Sequence, residues 1–363
     1  SLSLRGQLAK TPIQFELHKN YFVGHRHSVP ECTHSRGLML KRHWLWVGAL
    51  WASSLGMSIS ALGQTYPSKP LKIVVPFPAG SATDTVGRIL ANSLSTTLGQ
   101  PVIVESKAGA DGAIAAAEVA KAPADGYTLL LATNSPMAAV PALRKQPPYD
   151  PTHDFTPISA VGRYTFFLYV NSQVPARTLQ ELVDYTRANP GKLAYATGNT
   201  TGIVSTAQLL ALGGKLNMLH VPYKGVAPAM TALLSGETDL AITNLAMAMP
   251  QLRQGKLKLL AVTQINRFDG APGVPPVTDV LPGFNMPVAW YGFFAPPGLN
   301  AAISALLSGE IGRTVSSLEI RNRLTDASMS PLFTSGEGLI NLIRDTAASY
   351  ARIVRVAGIR LDG

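Results

Sequence analysis

The chain has 363 residues, of which 46% are hydrophobic and 14% are charged, with 31 Lys and Arg against 21 Asp and Glu and a single cysteine. This composition excludes a disordered or fibrous chain, and the length favours two or three domains that need no disulfide for stability. One cysteine excludes an internal disulfide and a thiolate metal site. The net charge of +10 would indicate a nucleic-acid partner only if the basic residues were clustered.

Residues 39–63 have the pattern of a secretory signal peptide. A short basic stretch at 41–42 is followed by an apolar run at 45–52 and then by small residues. We expect cleavage before Gln64, with cleavage near Ser60 as the alternative, and hence a periplasmic mature protein. An uncleaved membrane anchor is the competing interpretation, because about 20 uncharged residues could span a bilayer.

The preceding segment, 1–38, is interpreted as translated upstream sequence, with Met39 as the true start and a genuine N-terminal extension as the alternative. Seven of the 31 basic residues, two of the 21 acidic residues and Cys32 lie in 1–63. The mature chain therefore keeps 24 basic and 19 acidic residues, a net charge of +5, and no cysteine. These basic residues are scattered, so we expect no nucleic-acid partner.

The first half of the mature chain alternates β-rich runs with apolar residues at helical spacing. The predicted strands lie at 71–77, 101–104 and 127–132, and the predicted helices at 81–98 and 111–122, with a short helix after Asn134. Strands and helices in alternation predict a parallel sheet with right-handed crossovers.

A second set of elements follows a stretch at 155–174, which we interpret as one long strand leaving the first lobe. Strands are predicted at 193–197, 218–223, 239–243, 257–262 and 288–294, helices at 179–188, 203–212, 227–234 and 247–254, a Pro/Gly-rich loop at 267–287, and two or three closing helices, the last at 336–355. The pattern predicts two lobes with a cleft between them: 64–165 with 288–363, and 166–287.

Ligands of open α/β sheets lie beyond the carboxyl ends of the strands, so the strand-to-helix corners are the candidate site. The first corner, 77–84, leads into a helix whose first amides have no partner within the helix and suit a carboxylate or phosphate. The alternative is purely structural: Ser81 and Asp84 have the spacing of a capping box.

The second corner, 195–203, contains three threonine hydroxyls, one asparagine amide and two glycines before another helix. It carries no charge, as expected of a site for a small anion, although a plain Ser/Thr-rich helix cap is the alternative. In the third corner, 220–225, Tyr223 could form a wall of a pocket, while Lys224 could equally be a solvated surface charge. Asn134, Ser135 and Asn244 close two further strands and are additional candidate donors.

The chain resembles the receptors of the tripartite tricarboxylate transporter family, also called Bug receptors, over 65–360. The resemblance is carried by Tyr-Pro-Ser-Lys-Pro at 66–70, Ile-Val-Val-Pro-Phe at 73–77, Asp-Gly-Tyr-Thr-Leu-Leu at 125–130, Pro-Tyr-Asp-Pro at 148–151, Asp-Phe at 154–155, and the stretches 195–202, 220–225, 255–257 and 290–297.

This resemblance implies a type 2 periplasmic-binding-protein fold, in which two α/β lobes hold a small organic acid in the ligand cleft between them. It implies backbone amides and ordered water, rather than an arginine, as the carboxylate contacts, and membrane transporter subunits as partners of a monomeric receptor. Two departures stand out. Ala79 replaces a glycine and would be strained if that position needs positive φ, and Thr206-Ala207-Gln208 replaces a Ser/His pair.

We therefore predict a carboxylate receptor, with a ligand-sensing protein as the alternative. An enzyme on the same architecture finds little support, because the mature chain has two histidines and neither a nucleophile elbow, a phosphate loop nor a metal-ligand cluster. No catalytic residue, cofactor or metal is expected. The predicted ligand-binding residues are Phe77, Ala79, Gly80, Ser81, Ala82, Asp84, Asn134, Ser135, Thr197, Asn199, Thr200, Thr201, Gly202, Tyr223 and Asn244.

Overall fold

The computed structural model describes residues 66–245, 248–268 and 270–357. All of them belong to the same structural unit. The predicted upstream extension and signal peptide lie outside the described residues. In the described part of the chain, no helix combines the length and the apolar character that crossing a bilayer requires.

The described residues form eleven strands and ten α-helices. The strands are β1 (Leu71–Val75), β2 (Val102–Ser106), β3 (Thr128–Thr133), β4 (Thr156–Tyr164), β5 (Phe166–Asn171), β6 (Ala194–Thr197), β7 (Leu219–Pro222), β8 (Leu240–Asn244), β9 (Leu257–Val262), β10 (Ala289–Ala295) and β11 (Ser330–Ser335). The helices are α1 (Ala82–Leu98), α2 (Ala113–Val119), α3 (Val140–Leu143), α4 (Leu179–Ala188), α5 (Thr200–Leu212), α6 (Val226–Ser235), α7 (Met249–Arg253), α8 (Ala301–Ser316), α9 (Leu318–Asp326) and α10 (Gly336–Ala357). Short 3-10 segments occupy Ala110–Gly112 and Val277–Asp279, and a π-helical turn occupies Ser135–Ala139.

The first lobe is built on a six-stranded sheet in the order β11-β4-β10-β3-β1-β2. Strand β1 runs parallel to β2 and β3, as predicted. The sheet also holds β10, which lies antiparallel between β3 and β4 and was not among the strands for which a parallel arrangement was predicted. The reason for its direction is topological, because β10 enters this sheet on the return of the chain from the second lobe.

The second lobe is built on a five-stranded sheet in the order β7-β6-β8-β5-β9. Here β6 is parallel to β7 and β8, and β5 is antiparallel to both β8 and β9. Each lobe thus receives, inside its sheet, one antiparallel strand that arrives from the other lobe. The predicted two-lobed α/β architecture is confirmed, while the residue limits that we gave for the lobes remain a prediction.

The predicted long strand at 155–174 is in fact two strands in two different sheets. Strand β4 ends at Tyr164 and β5 begins at Phe166, so the chain crosses between the lobes at Thr165. The Thr165 hydroxyl donates to the Gln264 side chain, which follows β9 on the second lobe. Continuous aromatic and β-branched character conceals this break, because both strands are buried and need the same residue types.

Strand β11 was missed and lies where closing helices were predicted. It pairs antiparallel with β4 at the edge of the first sheet, and its register shifts between Pro331 and Thr334. Proline cannot donate to a strand ladder and is confined to edge strands and irregular positions. The sequence signal of this strand is therefore weak.

Helices cover both faces of the first sheet, which explains the unbroken apolar sequence of β1. Ile73 and Val75 pack in the same cluster as α1, whereas Val74 packs with α2 on the opposite face. Ser81 caps the start of α1 by accepting the amide of Asp84, and Gly99 ends the helix in the left-handed conformation at φ 64°. The first corner is thus attached to a rigid layer.

Replacing Leu90 with Ala should destabilise the protein strongly. Leu90 lies in α1 with 0% of its surface exposed, and Leu318, in α9, is 75% exposed. A buried Leu→Ala change costs about 2–5 kcal/mol through lost contacts and the cavity that remains. Leu318→Ala is the matched control and should change the free energy of unfolding by less than about 0.5 kcal/mol. Urea unfolding followed by circular dichroism measures both, and equal losses would contradict the described packing.

Candidate functional site

A cavity of about 120 Å³ lies between the two lobes. We call it the inner cavity. The first lobe contributes its lining from the corner after β1, from the end of β3, and from β4 and β10, and the second lobe from β5, the end of β8 and the starts of α5 and α6. The lining residues are Phe77, Pro78, Ala79, Gly80, Ser81, Ala82, Thr83, Thr133, Ser135, Tyr164, Phe166, Asn199, Gly225, Val226, Ala227, Asn244 and Tyr291. None of these residues carries a formal charge.

The first corner presents the amino-terminal end of α1 to the inner cavity. Gly80 adopts φ +78°, which glycine reaches without the steric cost of a side chain. Ala79 is absent from the described non-glycine residues with positive φ, so the strain expected there does not occur. Ser81 is extended, with φ −68° and ψ 163°, and it directs the chain into the helix at Ala82.

Asp84 holds the backbone of this corner by hydrogen bonds and does not line the inner cavity. Its carboxylate accepts hydrogen bonds from the Gly80 amide at 2.9 Å, from Arg88 Nε at 2.9 Å and from the Ser106 hydroxyl at 2.8 Å. Burial opposes its ionisation, but these hydrogen bonds together outweigh burial and lower the pKa of Asp84. The side chain therefore has the structural role that its capping-box position allowed.

The start of α6 faces the same cavity from the second lobe. Gly225 precedes the helix at φ 126° and offers no side-chain cap to its amides. The end of β6 packs against this turn so closely that a Cβ on Gly198 would overlap the Gly225 carbonyl. Val226 and Ala227 were missed by the sequence analysis, although a glycine between a strand and a helix was the available signal.

The start of α5 lies three residues earlier than predicted, because Asn199 is its cap. The Asn199 side chain accepts the Gly202 amide at 2.7 Å. The Thr200 amide donates to Oδ2 of Asp111 at 2.8 Å, and Asp111 belongs to the first lobe, between β2 and α2. The corner that we expected to be free of charge thus already holds a carboxylate of the protein itself.

A buried hydrogen-bond network joins α5 to the first lobe next to this corner. The Tyr350 hydroxyl, on α10, lies 2.7 Å from Nδ2 of Asn134 and 2.9 Å from the Thr201 hydroxyl. The Thr201 hydroxyl also lies 3.2 Å from that of Ser135. Tyr164 donates to Oδ1 of Asn134 at 2.9 Å. The polar groups of Asn134 and Thr201 are used within the protein.

An outer cavity of about 410 Å³ adjoins the inner one. Phe77, Pro78, Asn199 and Gly225 line both cavities. Thr197 and Tyr223 line only the outer one, where the Thr197 hydroxyl lies 2.7 Å from Nε2 of His220 and the Tyr223 hydroxyl donates to Glu237 at 2.7 Å.

A family model described as "Tripartite tricarboxylate transporter family receptor" matches residues 86–359. The chain belongs to this family. The receptor is 32% identical to the protein BugT of Bordetella pertussis over 318 residues, which are 86% of this chain and 96% of BugT. The predicted family is therefore confirmed.

Solved structures of similar proteins show the same fold. The R. palustris protein Rpa4515 with adipate is 30% identical, with a TM-score of 0.77 over 81% of this chain and 99% of that one. MatC of Rhodopseudomonas palustris with bound malate is 31% identical, with a TM-score of 0.73 over 80% of this chain and 100% of that one. The periplasmic binding protein BugD is likewise 31% identical, with a TM-score of 0.76 over 81% of this chain and 99% of that one, which confirms the predicted periplasmic-binding-protein fold.

The structure divides the predicted ligand-binding residues into three groups. Eight line the inner cavity: Phe77, Ala79, Gly80, Ser81, Ala82, Ser135, Asn199 and Asn244. Thr197, Thr200 and Tyr223 line the outer cavity. Asp84, Asn134, Thr201 and Gly202 line neither of these two cavities, because hydrogen bonds within the receptor hold their polar groups.

Asp111 should give the receptor a pH-dependent stability between pH 4 and 7. Burial raises the pKa of its carboxyl from 3.8 to about 6, with Thr200, Ser135 and Arg144 opposing the shift. The native state therefore binds the proton more tightly, and the contribution of Asp111 is full below about pH 4 and is lost as the pH rises through about 6. Relative to Asp111→Asn, the parent should lose about 3 kcal/mol at most over this range.

Urea unfolding at pH 4, 5, 6 and 7 tests this expectation. Asp84→Asn is the control of opposite sign, because the pKa of Asp84 is lowered and its contribution declines only at acidic pH. A difference between the parent and Asp111→Asn that stays constant from pH 4 to 7 would contradict the assigned burial of Asp111.

Proposed function

We propose that this protein is an extracytoplasmic receptor that captures a small carboxylate in the inner cavity. The observation that carries the proposal is the meeting of two helix starts, of α1 and α6, from opposite lobes at a cavity lined by no charged residue. Unpaired amides and the partial positive charge of a helix start attract anions. The relatives with adipate and malate support the same ligand class.

The size of the site suits a small organic acid. At about 120 Å³ the inner cavity is smaller than an ordinary drug-sized pocket, whose range is about 300–1,000 Å³. It would hold the carboxylate end of the acid, and the outer cavity of about 410 Å³ would hold the remainder of a longer one. Hydrogen bonds to a charged group contribute about 1.5–3 kcal/mol each, so four to six of them, after ordering costs, give roughly micromolar affinity.

Ligand binding would also stabilise the association of the lobes. A carboxylate that accepts amides of Ala82 in the first lobe and Val226 in the second binds best when both helix starts face the same cavity. A ligand shifts a conformational equilibrium by its difference in affinity for the two states. We therefore propose that the bound acid selects the closed arrangement, which membrane subunits of a tripartite tricarboxylate-type transporter then recognise.

The remaining features of the proposal follow from this role. The receptor works in the periplasm as a monomer, with export directed by the predicted signal peptide at 39–63, and it carries out no catalysis. The binding residues are the eight predicted residues that line the inner cavity, together with Val226 and Ala227 at the start of α6.

Replacing Ala82 with Pro should weaken carboxylate binding while leaving the helix intact. Ala82 is the first residue of α1, where proline is tolerated, and the preceding Ser81 already has the extended conformation that a residue before proline prefers. The change removes one amide at the inner cavity, and the loss of one charge-assisted hydrogen bond should weaken binding by about tenfold or more. Isothermal titration calorimetry measures the affinity.

Ala301→Pro is the matched control for this variant. Ala301 is the first residue of α8, follows Asn300 at ψ 133°, which suits a residue before proline, is exposed and is absent from the lining of the inner cavity. It should bind the acid as the parent does. Equal affinities of Ala82→Pro and the parent would remove the start of α1 from the binding site.

The ligand class can be tested before the acid itself is identified. Mass spectrometry of small molecules released from the receptor, together with thermal-shift measurements on mono-, di- and tricarboxylates, should identify an acid that raises the melting temperature. Stabilisation grows with the ratio of ligand concentration to Kd, to about 2.7 kcal/mol at a hundredfold excess over Kd. The absence of any stabilising acid would refute the carboxylate proposal.

The transport role is tested in the native cell. Deletion of the gene should abolish uptake of the identified acid, because the membrane subunits would receive no loaded receptor. Restoration by the parent, and only weakly by Ala82→Pro at low concentration of the acid, would link uptake to the inner cavity. Normal uptake with a lost transcriptional response would instead favour the sensing alternative.

A further inference from the structure

Asp111 makes a direct contact between the two lobes at a helix start. Its Oδ2 accepts the amide of Thr200, the first residue of α5, at 2.8 Å. Its Oδ1 is shielded from solvent and has no hydrogen-bond partner among the described residues, although the residue as a whole is partly exposed. The Thr200 amide is therefore a direct contact of this carboxylate with α5, and the side chains of Thr200 and Ser135 also favour its ionised form against burial.

The backbone around Asp111 is unusual for residues with side chains. Ala110 and Asp111 both have positive φ, of 47° and 56°, in a loop flanked by Gly109 and Gly112. Two consecutive non-glycine residues in the left-handed region are uncommon and require compensating contacts. The hydrogen bond between the Asp111 carboxylate and the Thr200 amide is one such contact.

The position of this carboxylate corresponds to that of a bound anion. The start of α5 adjoins the inner cavity through Asn199, and Asp111 itself lines the outer cavity. A ligand carboxylate could reach the Thr200 amide only by displacing Asp111. Two of the α5 amides thus already donate to side chains of the receptor, one to Asn199 and one to Asp111.

We propose that Asp111 is an interlobe latch: its carboxylate occupies the start of α5 as a ligand carboxylate would and holds the two lobes together around the inner cavity. Asp111 is thus a positioning residue, which acts on the ligand through the arrangement of the lobes. Its effect on ligand affinity rests on the proposed function, whereas its effect on the lobes does not.

Several ionisable groups surround the latch. Four groups interact electrostatically with Asp111: Arg144 after α3, Tyr149 in the following loop, Tyr164 on β4 and Tyr350 on α10. Two further groups belong to the outer cavity, which Lys224 lines and where His220 contacts the lining residue Thr197. Of these, His220 titrates nearest to neutral pH, and burial lowers its pKa. Any test that varies pH must therefore separate Asp111 from His220.

Acidification should tighten the latch. Burial raises the pKa of Asp111 to about 6 in the latched arrangement, and release into water would return it to about 3.9. At pH values between these two pKa values the carboxyl is protonated in the latched arrangement and ionised when released. A fall from pH 7 to pH 5 therefore favours the latched arrangement. This direction provides a signature that the mere loss of a packing contact would not produce.

The test measures the distance between the lobes in the full chain without ligand. Cys32 is the single cysteine, so Cys32→Ser gives a background into which Lys121→Cys, beyond α2, and Thr231→Cys, on α6, introduce two exposed labelling sites. Double electron–electron resonance between nitroxide labels at these sites reports the populations of open and closed lobes. Asp111→Gly removes the carboxylate and suits the positive φ of this position.

We expect Asp111→Gly to raise the ratio of open to closed lobes roughly tenfold at pH 5, where the latched carboxyl is protonated and keeps its hydrogen bond to Thr200, and by less at pH 7, where burial of the charge opposes the latch. In the parent, the open fraction should fall from pH 7 to pH 5. Asp111→Asn keeps the shape and an acceptor oxygen and should remove this pH dependence, whereas the control His220→Gln should retain it. Thermal unfolding by circular dichroism confirms that each variant is folded.

A titration with malate separates the latch from the proposed function. If malate binds the parent, Asp111→Gly should bind it up to about tenfold more weakly, since less of the free receptor is closed. Distances that change with Asp111→Gly while no carboxylate binds would refute the proposed function and leave the latch supported. Identical distance distributions for the parent and Asp111→Gly at both pH values would overturn the latch.

Discussion

Backbone amides at a helix start need acceptors, and three helix starts converge between the lobes of this receptor. At α1 the acceptors are partly internal, since Ser81 caps the helix and Asp84 takes the Gly80 amide. At α5 they come from Asn199 and from Asp111 in the other lobe. At α6 no side chain caps the helix. The demand for acceptors therefore makes the inner cavity suitable for an anion without any cationic side chain.

The inner cavity lies next to the points at which the chain crosses from one sheet to the other. Strands β5 and β10 each enter the sheet of the opposite lobe, next to the parallel strands whose ends carry the corners. Tyr164 and Phe166 flank the first crossing, and their rings lie 5.4 Å apart, while Tyr164 and Tyr291 lie 4.6 Å apart. All three line the inner cavity. Part of the cavity wall is thus made by aromatic residues that lie next to the crossings between the lobes.

Much of the fold was predictable because its elements have strong local signals. Helix α4 lies at the predicted 179–188 and strand β9 at the predicted 257–262, since apolar periodicity and flanking Gly or Pro define both. The features that were not predicted have physical causes. The crossing at Thr165 separates two equally apolar strands, β11 is a short edge strand containing Pro331, and the antiparallel position of β10 depends on the path of the whole chain.

Local features of the sequence were enough to specify the two-lobed α/β class, the family and the corners at which helix starts could meet an anion, because strand ends, glycines and cap residues are all short-range signals. Which side chains occupy those corners depends on the folded arrangement. Asp84 does not line the inner cavity, and the Thr201 hydroxyl makes its hydrogen bonds with Asn134 and Tyr350. Asp111 accepts the amide of Thr200, which lies 89 positions later in the sequence. Such contacts depend on how distant segments pack, and no local pattern encodes that distance.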